Sequence, residues 1–350
     1  MDPLRVAVCG AGSFGRNHLR VYRELQAANS GVTLAAAVEP HPERAAETAQ
    51  IYSIPVFPSV AALLAAGLNI HAASVAVPTL QHHSVALELL EAGIDLLVEK
   101  PIASTLAEAD SLIAAATRRK RILQPGHLER FNPAITAVQS RLRKPMFFEA
   151  HRLPIFTPRA LDVDVVLDLM IHDLDIVLRF ANSPISEVRA VGLPILSPKT
   201  DIANVRVEFE SGCVANFTAS RVSTERVRKL RFFEPARYVS IDYARQDLLV
   251  IEVDPKVAAA ALAALNARQL LAAGDFTTAA TEPHPSAGLT FQKPGVTPGE
   301  PLRLEIESFL ASVRSRLAPR VTAHHGRDAL ALALEIQSAI AAHASKLAAL

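Results

Sequence analysis

A glycine-rich turn near the start of the sequence limits the possible folds more than any other feature. The run Gly10-Ala11-Gly12-Ser13-Phe14-Gly15 follows a short apolar segment, Leu4–Cys9, and precedes a helical pattern over Gly15–Ala27. Between a strand and a helix, Gly10 allows a tight turn, Gly12 lets the backbone approach a pyrophosphate, and Gly15 permits close packing. The pattern predicts a dinucleotide site, whereas a plain strand–turn–helix is the alternative. The candidate cofactor-binding residues of the turn are Gly10, Gly12, Ser13, Phe14 and Gly15.

An acidic residue stands where a dinucleotide site of this kind needs one. Glu39 follows the second predicted strand, Thr33–Val38. A carboxylate at this position accepts hydrogen bonds from the ribose hydroxyls and repels a 2′-phosphate, which favours NAD over NADP. Arg44, in the predicted helix Pro42–Tyr52, is a further candidate contact of the cofactor. The alternative interpretation of Glu39 is a solvated loop charge.

Strand and helix patterns alternate through the first 125 residues. The predicted strands are Leu4–Cys9, Thr33–Val38, Ala73–Val77, Asp95–Val98 and Ile122–Gln124. The predicted helices are Gly15–Ala27, Pro42–Tyr52, Val60–Ala66, His83–Ala92 and Ala107–Arg119. Such alternation is typical of a parallel sheet covered by helices on both faces. We therefore predict an α/β fold whose residues 1–125 form an N-terminal doubly wound Rossmann domain that binds NAD.

The pattern changes after Gly126, where strand-like segments follow one another. The predicted strands are Phe147–Arg152, Glu187–Leu193, Ala203–Phe209, Val214–Arg221, Lys229–Phe233, Tyr238–Asp242 and Leu248–Val253. The predicted helices are Pro133–Leu142, Ala160–Phe180, Leu302–Leu317 and Gly326–Leu347, and Gly274–Pro301 is a predicted long loop. Residues 126–350 are therefore expected to form a C-terminal α+β domain with a mostly antiparallel open sheet. This domain is expected to bind substrate and mediate oligomerisation, with the C-terminal helix packing back on the first domain.

The composition argues against several classes of partner. The formal net charge is +1, and no basic run is interleaved with aromatic residues, so we expect no nucleic-acid partner. No apolar run reaches the ~20 residues of a membrane helix, and the start of the sequence lacks the pattern of a signal peptide. The two cysteines, Cys9 and Cys213, lie in apolar segments, which favours free thiols in a reducing cytoplasm. We therefore expect a cytoplasmic protein with a small-molecule substrate.

Two further segments lie at the carboxyl ends of predicted strands, where a doubly wound fold places its ligands. Pro78-Thr79-Leu80-Gln81-His82 follows Ala73–Val77, and Glu99-Lys100-Pro101 follows Asp95–Val98. In this order and spacing, the sequence resembles the Gfo/Idh/MocA oxidoreductase family over essentially its whole length. The resemblance implies that Lys100 lies beside the nicotinamide and the reacting carbon. It also implies that the cofactor is bordered by Pro78, Thr79, His82, Glu99 and Lys100.

The segment Asp168-Leu169-Met170-Ile171-His172 resembles the Asp-x-x-x-His signature of the same family. On a helix, this spacing places both side chains on one face. His172 is a candidate acceptor for the proton of a substrate hydroxyl, and Asp168 for binding that hydroxyl or orienting the catalytic groups. Whether Lys100 or His172 takes the proton stays open at this stage. Asp173 and Asp175 also suggest a metal site, but the resemblance implies chemistry that needs no metal.

Two local motifs, residues 126–133 and 168–175, resemble one branch of the family. Members of this branch oxidise the C3 hydroxyl of UDP-N-acetylglucosamine, and some act in lipid A synthesis before an aminotransferase. A diphosphate favours arginine contacts, whereas Glu129 and Asn132 suit sugar hydroxyls or an acetamide. Surface or interdomain ion pairs are the alternative for each arginine. The candidate substrate-binding residues are His127, Glu129, Arg130, Asn132, Arg152, Arg159, Asp168 and His172.

Two other functions remain compatible with the same residues. The first is an inositol or free-sugar dehydrogenase of the same family, and the second is a non-catalytic regulator that senses the dinucleotide. Lys100, Asp168 and His172 weigh against the regulator, because a sensor needs no acid–base groups. The open face of the second sheet predicts a homodimer or a homotetramer, since an exposed sheet face usually meets a partner.

Overall fold

Two β-sheets organise the chain in a computed structural model that describes residues 2–155, 163–254, 256–257, 259–260 and 289–348. The first sheet has six parallel strands in the order β3-β2-β1-β4-β5-β6. These strands are β1 Leu4–Cys9, β2 Val32–Val38, β3 Val56–Phe57, β4 Ala72–Val75, β5 Asp95–Glu99 and β6 Leu123–Gly126. The order reverses between β1 and β4, which is where a doubly wound sheet leaves a crevice for its ligand.

Helices cover both faces of this sheet. They are α1 Gly15–Ala27, α2 Pro42–Tyr52, α3 Val60–Ala65, α4 His82–Glu91 and α5 Leu106–Arg119. The central strands read as continuous apolar runs because both of their faces are buried, as Val6–Cys9 shows. A capping box begins α5, since the Thr105 side chain accepts from the Glu108 amide and Glu108 returns the interaction.

The second sheet has eight strands in the order β14-β13-β12-β11-β7-β10-β9-β8. All neighbouring pairs are antiparallel except β7 and β10. The strands are β7 Phe147–Leu153, β8 Ile185–Leu193, β9 Ile202–Phe209, β10 Val214–Ser220, β11 Val227–Glu234, β12 Arg237–Asp242, β13 Asp247–Val253 and β14 Leu289–Gln292. Alternate residues of β7 are buried on the face that packs against helices. The predicted α/β class, with a parallel sheet and a mostly antiparallel one, is therefore confirmed.

The prediction of a long loop over Gly274–Pro301 was wrong in part. Leu289–Gln292 forms β14 and pairs with β13 at the edge of the second sheet. A four-residue strand is too short to show a pattern in the sequence, and only its backbone pairing with β13 defines it. Residues 274–288 lie outside the described residues.

The predicted helix Ala160–Phe180 begins later than expected. Within the described part, a π-helical turn spans Val166–Met170 and continues as α7 Ile171–Ala181. The Asp164 carboxylate accepts from the backbone amides of Val166 (2.8 Å) and Leu167 (3.1 Å), so it caps this start. Residues 160–162 lie outside the described residues. The predicted helix Pro133–Leu142 is α6 Pro133–Gln139 and ends three residues early.

The two last helices return to the first sheet. The apolar side of α8 Pro301–Ser315 packs in one core with β1 and α1, and its fully buried members include Ile306 and Phe309. The final helix, α9 Ala323–Ala348, contributes Leu330 to the other core of the first sheet and Ile336 to the core of the second. The division at residue 125 stays a prediction, since β6 extends to Gly126 and α8 packs with the first sheet.

No helix in the described part of the chain combines the length and the apolarity that crossing a bilayer requires.

We expect Phe309→Ala to lower the free energy of unfolding by about 3–5 kcal/mol, because the ring is fully buried between α8 and the first sheet. Leu317→Ala is the matched control, since this side chain is 69% exposed just after α8. Its effect should stay within about 0.5 kcal/mol. Urea denaturation followed by circular dichroism measures both variants. A Phe309 variant as stable as the unsubstituted protein would show that α8 is not part of this core.

Candidate active site

The glycine turn lies at the switch point of the first sheet, between β1 and α1. Gly10 has φ +94°, and a Cβ there would lie 2.6 Å from the Ala76 carbonyl oxygen. A Cβ on Gly15 would lie 1.8 Å from the carbonyl oxygen of Gly10, whereas one on Gly12 meets no atom within 4 Å. Two of the glycines therefore serve the fold, and the third leaves open space at the start of a helix. That space suits the close approach of a pyrophosphate.

The Glu39 carboxylate is buried directly beside this turn. It accepts hydrogen bonds from the backbone amides of Ala11 (3.0 Å) and His41 (2.9 Å) and from Arg44 (3.0 Å). Burial raises the pKa of Glu39, but the Arg44 guanidinium and the two amides outweigh it and lower the pKa below its usual value. Glu39 is therefore ionised and tied to the glycine turn, where it can accept ribose hydroxyls. Ser13 and Phe14 are exposed on the open side of the turn.

The loops that follow β4 and β5 are joined by His82. Its two ring nitrogens lie 2.7 Å from the Pro101 carbonyl oxygen and 2.9 Å from that of Val77. Pro78 and Thr79 border the same loop, and Thr79 begins a short 3₁₀ turn that leads into α4. His82 therefore holds the loop that carries Lys100 against the loop that follows β4.

Lys100 follows β5, and its side chain extends to the π-helical turn Val166–Met170 that precedes α7. Its Nζ donates to the Asp168 carbonyl oxygen at 2.5 Å and lies 3.5 Å from Asp168 Oδ1. Burial and the Arg152 guanidinium lower the pKa of Lys100, although Asp168 and Glu99 act in the opposite direction. Two of the predicted catalytic residues thus meet across the cleft between the sheets.

A buried hydrogen-bonded chain supports Glu99, and sequence reasoning missed it. Tyr22 Oη lies 2.9 Å from Ser74 Oγ, which lies 3.1 Å from His18 Nδ1. His18 Nε2 lies 2.8 Å from Glu99 Oε1. The chain is satisfied when Tyr22 donates to Ser74, Ser74 to His18, and His18 to Glu99. His18 and Tyr22 are four residues apart on the buried face of α1, which is the signal that could have identified them.

Glu305, on α8, is a second buried carboxyl group near Glu99 that sequence reasoning missed. Neither of its oxygens has a hydrogen-bond partner among the described residues. Burial and the carboxylates of Glu99 and Asp175 raise the pKa of Glu305 well above its usual value. Because burial disfavours a carboxylate and the neighbouring carboxylates repel another negative charge, Glu305 stays uncharged at neutral pH. Glu305 stands among apolar residues of α8, and nothing in that part of the sequence indicates a site residue.

Two histidines face the cleft beside Lys100. His172 is the second residue of α7, and its Nδ1 is buried without a partner in the described structure. Burial and the positive charges of Lys100 and Arg152 lower the pKa of His172 well below its usual value, so the imidazole is neutral at pH 7. His127, at the end of β6, is fully buried, and neither ring nitrogen has a partner among the described residues. Burial likewise lowers the pKa of His127.

Arg152 lies in a closed network of buried polar groups. Its Nε and Nη2 donate to both oxygens of Asp173, at 2.7 and 3.1 Å, and Nη1 donates to Glu129 at 3.0 Å. Asn132 donates to Glu129 and to the Tyr243 carbonyl oxygen. This network supports the ion-pair alternative for Arg152 and fixes Asp173, the residue next to His172. Substrate contacts of Glu129, Asn132 and Arg152 stay a prediction.

Arg130 is also bound to other side chains of the protein. Its Nε lies 3.0 Å from Asp175 Oδ2, and its Nη2 lies 3.2 Å from His325 Nδ1. Arg130 and Asp175 are both buried, so their charges compensate each other inside the protein. Arg159 lies outside the described residues. The described residues contain no group of three metal-binding side chains, and Asp173 and Asp175 each face an arginine.

The chain belongs to the Gfo/Idh/MocA oxidoreductase family. Residues 4–127 match the family's NAD-binding Rossmann fold, and residues 134–233 match its C-terminal domain. The fold and the cleft residues therefore belong to an NAD-dependent oxidoreductase, which confirms the predicted family, the cofactor and the enzyme class.

One relative matches the chain over nearly its whole length. The UDP-N-acetylglucosamine 3-dehydrogenase of Acidithiobacillus ferrooxidans is 34% identical, with 98% of this chain and 99% of the relative covered. A solved structure of that enzyme has a TM-score of 0.83 at the same coverage. The scyllo-inositol 2-dehydrogenase of Bacillus subtilis is 26% identical, over 63% of this chain and 68% of its own. An Agrobacterium radiobacter oxidoreductase solved with NAD⁺ shares the fold, with 15% identity, a TM-score of 0.77, and 97% and 96% of the two chains covered.

We expect Gly12→Ala to fold normally and to bind NAD at least about tenfold more weakly, because the methyl group would occupy space that the pyrophosphate needs. Gly295→Ala is the matched control, since a Cβ there also meets no atom within 4 Å. Calorimetric titration with NAD measures both variants, and circular dichroism checks their folding. Unchanged NAD affinity in a folded Gly12→Ala protein would place the pyrophosphate elsewhere.

Proposed function

We propose that the protein oxidises the C3 hydroxyl of UDP-N-acetylglucosamine to the 3-keto nucleotide sugar, with NAD as the oxidant. The observation that carries this proposal is the 34% identity, over 98% of the chain, to a UDP-N-acetylglucosamine 3-dehydrogenase. The convergence of Lys100, Asp168 and His172 on one cleft supports it, because alcohol oxidation needs a proton acceptor and a cation beside the reacting oxygen.

The protonation states of the cleft favour His172 as the proton acceptor. Its imidazole is neutral at pH 7 and has no hydrogen-bond partner among the described residues, so it is free to accept the hydroxyl proton. Lys100 Nζ already donates to Asp168, which holds the ammonium in the cleft. In this position, Lys100 can donate to the reacting oxygen and stabilise its developing negative charge. NAD, when bound, supplies the acceptor for the hydride that leaves C3.

The proposed cofactor contacts follow from the geometry of the first sheet. Gly12 offers open backbone at the start of α1, and the Glu39 carboxylate lies beside the turn, where it suits the adenosine ribose. Arg44 is hydrogen-bonded to Glu39 and keeps that carboxylate ionised. The remaining proposed contacts are Gly10, Ser13, Phe14, Gly15, Pro78, Thr79, His82, Glu99 and Lys100.

We infer that the protein forms a homodimer or homotetramer through the outer face of the second sheet. Phe147, Phe233 and Tyr238 form an aromatic cluster on this face. The ring centroids of Phe147 and Phe233 are 5.8 Å apart, and those of Phe233 and Tyr238 are 5.1 Å apart. Phe233 is 40% exposed, so covering the cluster with a second subunit would remove apolar surface from water.

The proposed location is the cytoplasm, which suits the free buried thiols of Cys9 and Cys213.

We expect NADH to form with UDP-N-acetylglucosamine and much more slowly with free N-acetylglucosamine or inositol. Lys100→Met should lower kcat by about 10²–10³-fold, because it removes the cation beside the reacting oxygen. Lys199→Met, at an exposed position in the loop before β9, is the control that should leave kcat unchanged. NADH absorbance measures each rate. No turnover of UDP-N-acetylglucosamine would contradict the proposal. Efficient oxidation of inositol or a free sugar would favour an inositol or free-sugar dehydrogenase.

We expect the acid limb of the kcat/KM profile to lie well below pH 6.5. Lowering the pH protonates His172 and removes the base, but its depressed pKa delays this loss. His172→Asn should abolish the limb and lower kcat by about 10²–10⁴-fold. His83→Gln, at the second residue of α4, where the imidazole contacts Ser111, is the control and should keep the profile. An acid limb that survives in His172→Asn would assign the base to another group.

A further inference from the structure

Arg228, the second residue of β11, stands at the edge of the cleft. In the antiparallel pairing of β11 with β7, it lies directly opposite Arg152. Opposite residues of such a pair share one face of the sheet, so Arg228 belongs to the inner face with Leu230 and Phe232. Those two residues are fully buried, whereas Arg228 is exposed. The inner face therefore opens to solvent at Arg228, beside the buried Arg152 network.

The guanidinium of Arg228 has no hydrogen bond or ion pair with any described residue. The nearby carboxylates of Glu129 and Asp173 pair with Arg152 and not with Arg228. Arg130 is also paired, with Asp175, and so it differs from Arg228 as Arg152 does. Arg228 is thus a cation in the cleft wall whose neighbouring carboxylates pair with another arginine. Its planar guanidinium suits bidentate hydrogen bonds to an oxyanion.

Arg228 also lies within electrostatic range of the proposed base. Its positive charge is one of those that lower the pKa of His172, together with Lys100 and Arg152. In a nucleotide sugar, the diphosphate is attached to C1, two ring carbons from the C3 hydroxyl. Because C1 and C3 are close in the sugar ring, a substrate whose C3 faces His172 brings its diphosphate near the same histidine, and Arg228 is one of the cations that act on it.

We propose that Arg228 binds the diphosphate of the substrate and thereby selects nucleotide sugars over neutral sugars. This inference rests on the proposed oxidation of a nucleotide sugar. It replaces Arg130 and Arg152 as diphosphate ligands with a residue whose guanidinium is available. Arg130 and Arg152 instead neutralise the carboxylates that hold α7 and the 3₁₀ turn Leu128–Phe131 around the catalytic histidine.

Arg228→Gln, compared with Lys229→Gln, tests this role. Lys229 carries the same charge on the next residue of β11 but lies on the outer face of the sheet. We expect Arg228→Gln to raise KM for UDP-N-acetylglucosamine by about 10–100-fold, as for the loss of a charged hydrogen bond, with kcat changed only a few-fold. Lys229→Gln should keep both constants. Arg228→Lys should recover part of the loss, because it restores the charge without the bidentate geometry.

Calorimetric titration of the NAD-loaded protein with UDP separates this inference from the proposed function. We expect UDP to bind the unsubstituted protein and Lys229→Gln equally, and to bind Arg228→Gln about 10–100-fold more weakly. If UDP-N-acetylglucosamine is oxidised but KM and UDP affinity are unchanged in Arg228→Gln, the role of Arg228 is overturned while the proposed function stands. If that substrate is not oxidised but UDP binding depends on Arg228, the proposed function fails while the diphosphate site stands. An unsubstituted protein that binds no UDP overturns the diphosphate site outright.

Discussion

The contact between Lys100 and Asp168 links a strand end of the first sheet to the helical turn beside the second, at the proposed catalytic site. Lys100 follows a strand of the parallel sheet, and Asp168 lies in the π-helical turn that begins the helical layer of the second sheet. Because the ammonium is partly withdrawn from water, the Asp168 carbonyl and carboxylate beside it compensate its charge. The charge held here is also one of those that, after burial, lower the pKa of His172.

Charge compensation inside the protein explains which polar residues remain free to act. Arg152 pairs with Glu129 and Asp173, and Arg130 pairs with Asp175, whereas His18 donates a hydrogen bond to Glu99. A buried ion that lost its partner would cost several kcal/mol, so these residues hold the cleft in shape. His172 and Arg228 lie outside those pairs among the described residues, which leaves an imidazole for a proton and a guanidinium for an anion.

Local patterns in the sequence predicted five of the six strands of the first sheet and missed the two-residue strand β3 Val56–Phe57. The glycine turn, Glu39 and Lys100 each stand at the end of a predicted strand, and parallel strands bring their carboxyl ends together at one edge. The spacing of Asp168 and His172 predicts an ordinary helix, but the chain makes a π turn at Val166–Met170, which Asp164 caps. Hydrogen bonding within one turn of helix leaves no periodic signal, so the sequence could not reveal it.

The sequence by itself determined the alternation of strands and helices, the glycine turn and the residue types that chemistry requires, because these depend on neighbours along the chain. Only the tertiary structure decided which charges are paired. Arg152 and Arg228 are both arginines on inner strand positions and lie opposite each other on β7 and β11. Arg152 pairs with the carboxylates of Glu129 and Asp173, whereas Arg228 faces the open cleft. That difference arises from contacts between distant segments, since burial and partners are properties of the packed molecule and not of a residue's type.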